Sequence, residues 1–215
     1  MYINEKHLSY IYEDEVQIDA NHTLKKQNLG DLFLKTGNIV ANDPLVMFEL
    51  EPLTLSVAPG SYPVSIHISN WSSPLMDDKR VALAALRFSD KKAIRWEMAL
   101  ADGQDPDNVK DGKLFYGYGV DSGTGGFMDK SAADEIGAKL TDDASYEKVY
   151  KEIDKQMEET YVDTYSYAIG NMTDGTQNDF VAFSSGFGDG CYPSYFGFDD
   201  MGELCALATD FLALD

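Results

Sequence analysis

Two glycine-rich segments contain most of the side chains that could do chemistry. Residues 117–129 include five glycines together with Asp121 and Asp129, and residues 184–193 place Asp189 among three glycines. Glycine tolerates positive φ and lets a backbone approach a ligand closely, so such segments are typical of binding loops. We predict that both loops lie at one end of a sheet and form a shared site, with these hydroxyl-bearing residues as binding candidates: Ser122, Thr124, Ser185 and Tyr192.

A cluster of carboxylates without a neighbouring base has three possible fates. If Asp121, Asp129 and Asp189 converge, with Asp43 beside them, they must bind a cation, share a proton at a raised pKa, or remain solvated. In the first case the three loop aspartates are catalytic and metal-binding candidates, and a divalent cation is the cofactor. The structural alternative stays open as well: Asp129 caps a helix, and Asp189 hydrogen-bonds the backbone of its own loop.

Other catalytic classes have little support in the sequence. The first loop lacks the lysine of a phosphate-binding loop, and the serines of the second precede its first glycine, so no nucleophile elbow is formed. The three histidines share no ligand spacing. Cys191 and Cys205 are fourteen positions apart. A disulfide between them stays open, although we expect reduced thiols.

The charge of the chain excludes some partners and favours others. The 215 residues carry a net charge of −20, and residues 156–215 contain eleven Asp and Glu but no Lys or Arg. Nucleic acids and anionic membranes would be repelled, because binding to both depends on basic side chains. A basic protein partner would be attracted. The longest uninterrupted apolar run has six residues, and no export signal is visible, so we expect a cytoplasmic protein.

Several segments have the pattern of β-strands. Residues 39–41 precede a turn at Pro44, and residues 62–69 alternate between apolar and polar side chains, as in a half-buried strand. Residues 80–88 and 93–100 flank a polar turn and predict an antiparallel hairpin. Its second arm places Arg95 and Glu97 on one face as a surface or site-lining ion pair, so both are binding candidates.

The rest of the chain predicts helices followed by more strands. Acidic residues precede a lysine in residues 129–140, and apolar residues recur at spacings of three and four in residues 145–161. Residues 179–184, 192–198 and 203–214 return to strand patterns. We therefore predict one α+β domain over residues 1–215, built on a mainly antiparallel, sandwich-like sheet with a helical insertion around residues 129–161. Residues 1–36 show no convincing periodicity.

Several segments together resemble an uncharacterised bacterial family, domain of unknown function 4241 (DUF4241). The matching segments are GNIVANDP (37–44), RWEMA (95–99), GYGVDSGTG (117–125), FSSGFGDGCYP (183–193), GFDDMG (197–202) and TDF (209–211). Members often carry Trp where this chain has Phe187. The family has no assigned reaction, so no catalytic residue can be transferred from it. Its occurrence near toxin loci implies an immunity or defence role.

Two hypotheses about function follow. The first is an acidic protein- or ligand-binding module, such as an immunity protein that masks a basic toxin; the charge distribution favours it. The second is a metal-assisted hydrolase or lyase that uses the loop aspartates. The most informative observation is whether the carboxylates of the two loops converge in one concave pocket.

Overall fold

The computed structural model describes residues 3–46, 50–73, 76–110, 115–139, 143–173 and 177–214. The helices are α1 (Glu5–Ser9), α2 (Lys130–Lys139) and α3 (Asp143–Glu159), with short 3-10 turns at Tyr10–Tyr12 and Pro106–Val109. The strands are β1 (Glu15–Asp19), β2 (His22–Leu34), β3 (Ile39–Asn42), β4 (Gly60–Ser73), β5 (Met76–Arg87), β6 (Arg95–Met98), β7 (Tyr118–Val120), β8 (Thr124–Asp129), β9 (Tyr167–Gly170), β10 (Phe180–Ser184), β11 (Gly190–Tyr192), β12 (Ser194–Phe198) and β13 (Leu204–Asp210).

These strands form three antiparallel sheets. The large sheet has the order β1-β2-β4-β5-β13-β12-β6, the small sheet has the order β3-β8-β10-β9, and β7 and β11 form a two-stranded sheet. This architecture confirms the predicted α+β class and its antiparallel basis. The helical insertion is also confirmed, since α2 and α3 follow β8. No helix in the described ranges combines the length and apolar character needed to cross a membrane.

The predicted hairpin between residues 80–88 and 93–100 is wrong. Both arms are strands, but β5 pairs with β4 and β13, whereas β6 pairs with β12. The C-terminal hairpin β12–β13 inserts between them. A short polar turn predicts pairing only when no other strand competes for the edge, and here β13 supplies a better-matched apolar partner for β5. Arg95 and Glu97 do lie on the exposed face of β6 and form an ion pair, as predicted.

The core lies between the large and small sheets. Ile66, Leu86 and Leu207 of the large sheet belong to the same buried cluster as Phe127 and Phe183 of the small sheet. A fully buried side chain of this size stabilises the fold by about 1.5–3 kcal/mol. The sandwich-like prediction is therefore confirmed for these two sheets.

The outer faces of both sheets are covered as well. Leu8 of α1 packs on the large sheet, and Ile136 of α2 and Ile153 of α3 pack on the small sheet. Residues 64–69 of β4 are therefore buried on both faces, including Ser65 and His67, and the half-buried prediction is wrong there. The polar side chains of this strand reach a second apolar layer instead of solvent.

The two-stranded sheet determines where the glycine-rich loops lie. Gly190 pairs with Val120, and Tyr192 pairs with Tyr118. The loop that leaves β7 and the loop that enters β11 therefore start side by side. Gly117 allows this close pairing, because a Cβ at that position would lie 2.5 Å from the carbonyl oxygen of Tyr192.

Candidate functional site

The two glycine-rich loops meet, as the sequence analysis predicts. The amide of Gly123 donates to Oδ1 of Asp189 over 3.0 Å, and the amide of Ser185 donates to the carbonyl oxygen of Gly123, also over 3.0 Å. Gly123 has a φ of 68° and Gly188 a φ of 106°, conformations that other residues rarely adopt. The glycines are therefore required for the turns that bring the loops together.

Asp43 holds the first loop in place from outside it. Its Oδ2 accepts from the amides of Asp121 (3.0 Å) and Ser122 (2.8 Å). Its Oδ1 accepts from the Ser122 hydroxyl (2.7 Å) and from the amide of Leu45 (2.9 Å). The side chain is buried, so backbone N–H groups replace the water that a carboxylate would otherwise need. Asp43 is therefore an organising residue of the loop, consistent with its inclusion among the candidates.

Asp129 lies away from the loops, and this part of the predicted cluster is wrong. It ends β8, whose first residue Thr124 belongs to the loop, so five steps of extended strand separate them by about 17 Å. Its Oδ1 accepts from the amide of Ser131 (2.9 Å), and its Oδ2 accepts from the amide and hydroxyl of Thr36 (both 2.9 Å). Asp129 is thus the buried N-cap of α2, which is the structural alternative considered for it.

The remaining loop aspartates do not form a metal centre with it. Asp121 and Asp189 are both exposed, and Asp189 holds a backbone amide of the opposite loop. Within the ranges that the structure describes, no three His, Cys, Asp or Glu side chains are grouped so that they could hold a metal ion. The geometry therefore gives no support to a three-aspartate site.

Ser185 and Tyr192 stabilise the second loop. The Ser185 hydroxyl donates to the carbonyl oxygen of Gly188 (3.0 Å), and the Tyr192 hydroxyl donates to the same oxygen (2.7 Å). Burial raises the pKa of Tyr192, so its hydroxyl remains a donor at neutral pH. Phe187 at the loop tip is 67 % exposed and lies 5.5 Å below the guanidinium of Arg80. Arg95 and Glu97 lie on β6 at the edge of the large sheet and line no part of this loop surface.

A groove of about 430 Å³ lies between the first loop and α3. We call it the acidic groove. The α3 side and the turn after it contribute Tyr150, Asp154, Met157, Glu158 and Tyr161, while Leu45, Ser122, Gly123, Thr124, Ser166 and Ser184 form the other side. Two of the predicted binding residues, Ser122 and Thr124, therefore lie in its wall.

The charge in the acidic groove is not neutralised by the described part of the chain. Asp154 and Glu158 are one helical turn apart on α3, and none of the described lysines and arginines lines the groove. Among the described residues, the ion pairs of α3 are Lys151 with Glu147 and Lys155 with Glu159, and neither groove carboxylate has one. Two like charges at this spacing destabilise a helix by a few tenths of a kcal/mol. A cation in the groove would relieve that repulsion.

Asp154 and Glu158, the acidic groove residues of α3, are not among the site residues predicted from the sequence. Tyr150 and Met157 belong to the apolar periodicity that predicts the helix, and nothing in that periodicity indicates a site. A second stripe with a spacing of four, Tyr150, Asp154 and Glu158, was the available signal. This stripe indicates a site only in combination with the first glycine-rich loop, which lies opposite it in the structure.

Two other cavities lie near β6; the first includes Gly117 and Tyr118 from the start of the first glycine-rich segment, and neither includes the loop aspartates. One, of about 450 Å³, is lined in part by Ala41, Ala99 and Tyr118, and the other, of about 840 Å³, by Leu55, Trp96 and other residues. Cys191 is exposed and Cys205 is buried, and no disulfide joins them, so the bridge left open by the sequence is not formed.

Comparison with known proteins adds a family but no activity. A family model described as a protein of unknown function (DUF4241) matches residues 32–209. No curated protein and no solved structure matches the chain.

Proposed function

The chain belongs to the DUF4241 family, whose description assigns no activity, and we propose from the geometry that it is a binding module for a basic protein partner. In this proposal the acidic groove receives a lysine or arginine side chain of that partner. A basic toxin masked by an immunity protein would be one partner of this kind. The observation that carries the proposal is the lining of the groove: Asp154 and Glu158 lie in it, and no basic residue of the described ranges does.

The aromatic residues of the groove support a cationic ligand. Tyr150 is 38 % exposed and Tyr161 is 61 % exposed, which is unusual for large rings. A tyrosine face attracts a cation, and arginine is the side chain that most often uses this contact. Exposed tyrosines are also enriched at protein interfaces, because they bury much area at little entropic cost.

The surroundings of the groove extend the same potential. Asp121 and Asp189 are exposed on the two adjoining loops, and the chain as a whole carries a charge of −20. A surface of one sign increases the rate at which an oppositely charged partner associates, and salt weakens that attraction. The metal-assisted alternative has no comparable support, since Asp129 caps α2.

The test uses a fluorescently labelled arginine-rich peptide as the probe and the double variant Asp154→Asn/Glu158→Gln. We expect the variant to bind the peptide about tenfold more weakly, because two charge-assisted contacts become neutral. The fold should be retained, since the change removes a like-charge pair from α3. The matched control is Asp14→Asn/Glu203→Gln, which removes the same charge from two exposed positions elsewhere.

Binding to the wild-type protein should also weaken when NaCl is raised from about 50 to about 300 mM. The proposal is contradicted if the control variant loses as much affinity as the groove variant. Such a result would assign the attraction to net charge alone. Affinity that does not respond to salt would contradict it as well.

A further inference from the structure

A second concave site lies on the opposite side of the turn at residues 162–165, and its chemistry is the reverse of the acidic groove. The strands of the large sheet, with 12 to 14 residues in β2, β4 and β5, are longer than the four to six residues of the small-sheet strands. The inner face of the large sheet therefore extends past the cover provided by the small sheet. A cavity of about 540 Å³ opens on this uncovered part.

Donor groups of the large sheet converge on this cavity. Lys25 on β2 is opposite Ile68 on β4, while Thr23 is opposite Asn70, which is in turn opposite Lys79 on β5. Side chains opposite each other in a sheet lie on the same face. We call this site the lysine pocket; its wall is formed by Glu15, Thr23, Lys25, Lys26, Gln27, Ile68, Asn70, Lys79 and Tyr165.

Lys25 and Lys79 can reach one ligand from either side. They are on β2 and β5, which flank β4, so their backbones are about 10 Å apart across the sheet. Flexible four-carbon stems can close that distance over a small oxyanion above Asn70. The Tyr165 hydroxyl donates to Oε1 of Gln27 over 3.2 Å, and this bond leaves the NH2 group of Gln27 for a ligand.

Two carboxylates lie close to the lysine pocket without neutralising it. Asp163 pairs with Lys79, but its side chain is 59 % exposed, and such a pair contributes at most about 1 kcal/mol. Glu15 is opposite Lys25 on β1, and no ion pair joins these two residues. An anion that contacts both lysines can therefore displace the Asp163 contact.

We propose that the lysine pocket binds the phosphate group of a small molecule. The donor-bearing side chains of this wall exceed what the two oxygens of a carboxylate can accept, whereas a phosphate group presents three acceptor oxygens and a charge close to −2. A nucleic acid is a poor candidate, because the rest of this acidic chain repels a long polyanion. The ligand is therefore small enough to lie within the cavity.

The experiment is a calorimetric titration with inorganic phosphate, pyrophosphate and acetate at low salt. We expect pyrophosphate to bind most tightly and acetate most weakly. Lys25→Met and Lys79→Met should each weaken pyrophosphate binding about tenfold, whereas Asp163→Asn should strengthen it by freeing Lys79. Asn suits this position, because residue 163 has a φ of 57°.

Lys148→Met is the matched control, since Lys148 is an exposed lysine on α3 outside the pocket. It should leave pyrophosphate affinity within about twofold of the wild-type value. Lys25→Arg should bind pyrophosphate more tightly than Lys25→Met, because it keeps the charge. Thermal unfolding of each variant checks that the fold is retained. The proposal is overturned if wild-type protein gives no heat with pyrophosphate, or if the control weakens binding as much as the pocket variants.

Discussion

Replacing Asp43 by asparagine tests whether this one buried carboxylate organises the first glycine-rich loop. The wild-type side chain accepts four hydrogen bonds, two at each oxygen, from Asp121, Ser122 and Leu45. Asparagine has only one acceptor oxygen. Its NH2 group would face either the two loop amides or the amide of Leu45, and in both orientations at least one buried N–H loses its acceptor.

The magnitude follows from those contacts. A buried donor left unsatisfied costs about 1–3 kcal/mol, and the remaining bonds weaken because their acceptor is no longer charged. In the better orientation the amide of Leu45 is the donor that is lost, while the Ser122 hydroxyl can rotate to accept. We therefore expect Asp43→Asn to lower the free energy of unfolding by about 2–4 kcal/mol.

The measurement is urea denaturation followed by the fluorescence of Trp96, which is buried on the large sheet. Amide hydrogen exchange at residues 121 and 122 reports on the loop itself and should accelerate in the variant. Asp189→Asn is the comparison, because the exposed Asp189 accepts one amide and should cost less than about 1 kcal/mol. Equal losses in the two variants, or unchanged exchange in Asp43→Asn, would refute the organising role of Asp43.

Two further predictions concern stability. Burial lowers the pKa of His67 from 6.5 to about 3, so below pH 6.5 the unfolded chain binds a proton that the folded chain does not. Because of this group, the free energy of unfolding should fall by about 2 kcal/mol from pH 7 to pH 5. In His67→Gln, measured by urea denaturation at both pH values, this fall should be absent. An equal fall in the variant and the wild type would refute the assignment to His67. Gly117→Ala should destabilise by about 1–3 kcal/mol in thermal unfolding, since its Cβ would meet the backbone of Tyr192 at 2.5 Å. Gly119→Ala, two residues later on β7, has open space and should cost less than about 0.5 kcal/mol; equal effects would contradict the close approach at Gly117.

The elements with strong periodicity were predictable from sequence, whereas their pairing was not. The spacing of Val149 and Ile153 predicted α3, and the alternation through Ile66 and Ile68 predicted β4. The position of β6 was not predictable, because its partner β12 comes almost a hundred residues later in the chain. Strands β1 and the first half of β2 were also missed, since charged side chains at Lys25 and elsewhere obscure the alternation.

The candidate site was also predictable only in part. Glycine content identified the two loops correctly, because glycine adopts the positive φ at Gly123 and Gly188 without steric cost. Sequence could not distinguish Asp43, which holds a loop, from Asp129, which caps a helix. Both are buried aspartates beside a turn, and only the direction of β8 separates them.

Some carboxylates of this chain are buried and accept backbone hydrogen bonds, whereas others face solvent. This difference explains how so acidic a chain folds and which charges remain for a partner. In the C-terminal quarter, which has no Lys or Arg, Asp179 accepts the amides of Met172 and Thr173, and Asp199 accepts those of Met201 and Glu203.

These two carboxylates are buried and replace lost water with backbone donors of their own turns, and Lys91 also pairs with Asp199 over 2.7 Å. They are also unavailable to a ligand. The carboxylates of Asp154 and Glu158 have no such donors among the described residues and face an open groove. The acidic groove therefore presents together two carboxylates that the fold has not used for its own hydrogen bonds. That placement, more than the net charge, is the reason for proposing that this surface binds a basic partner.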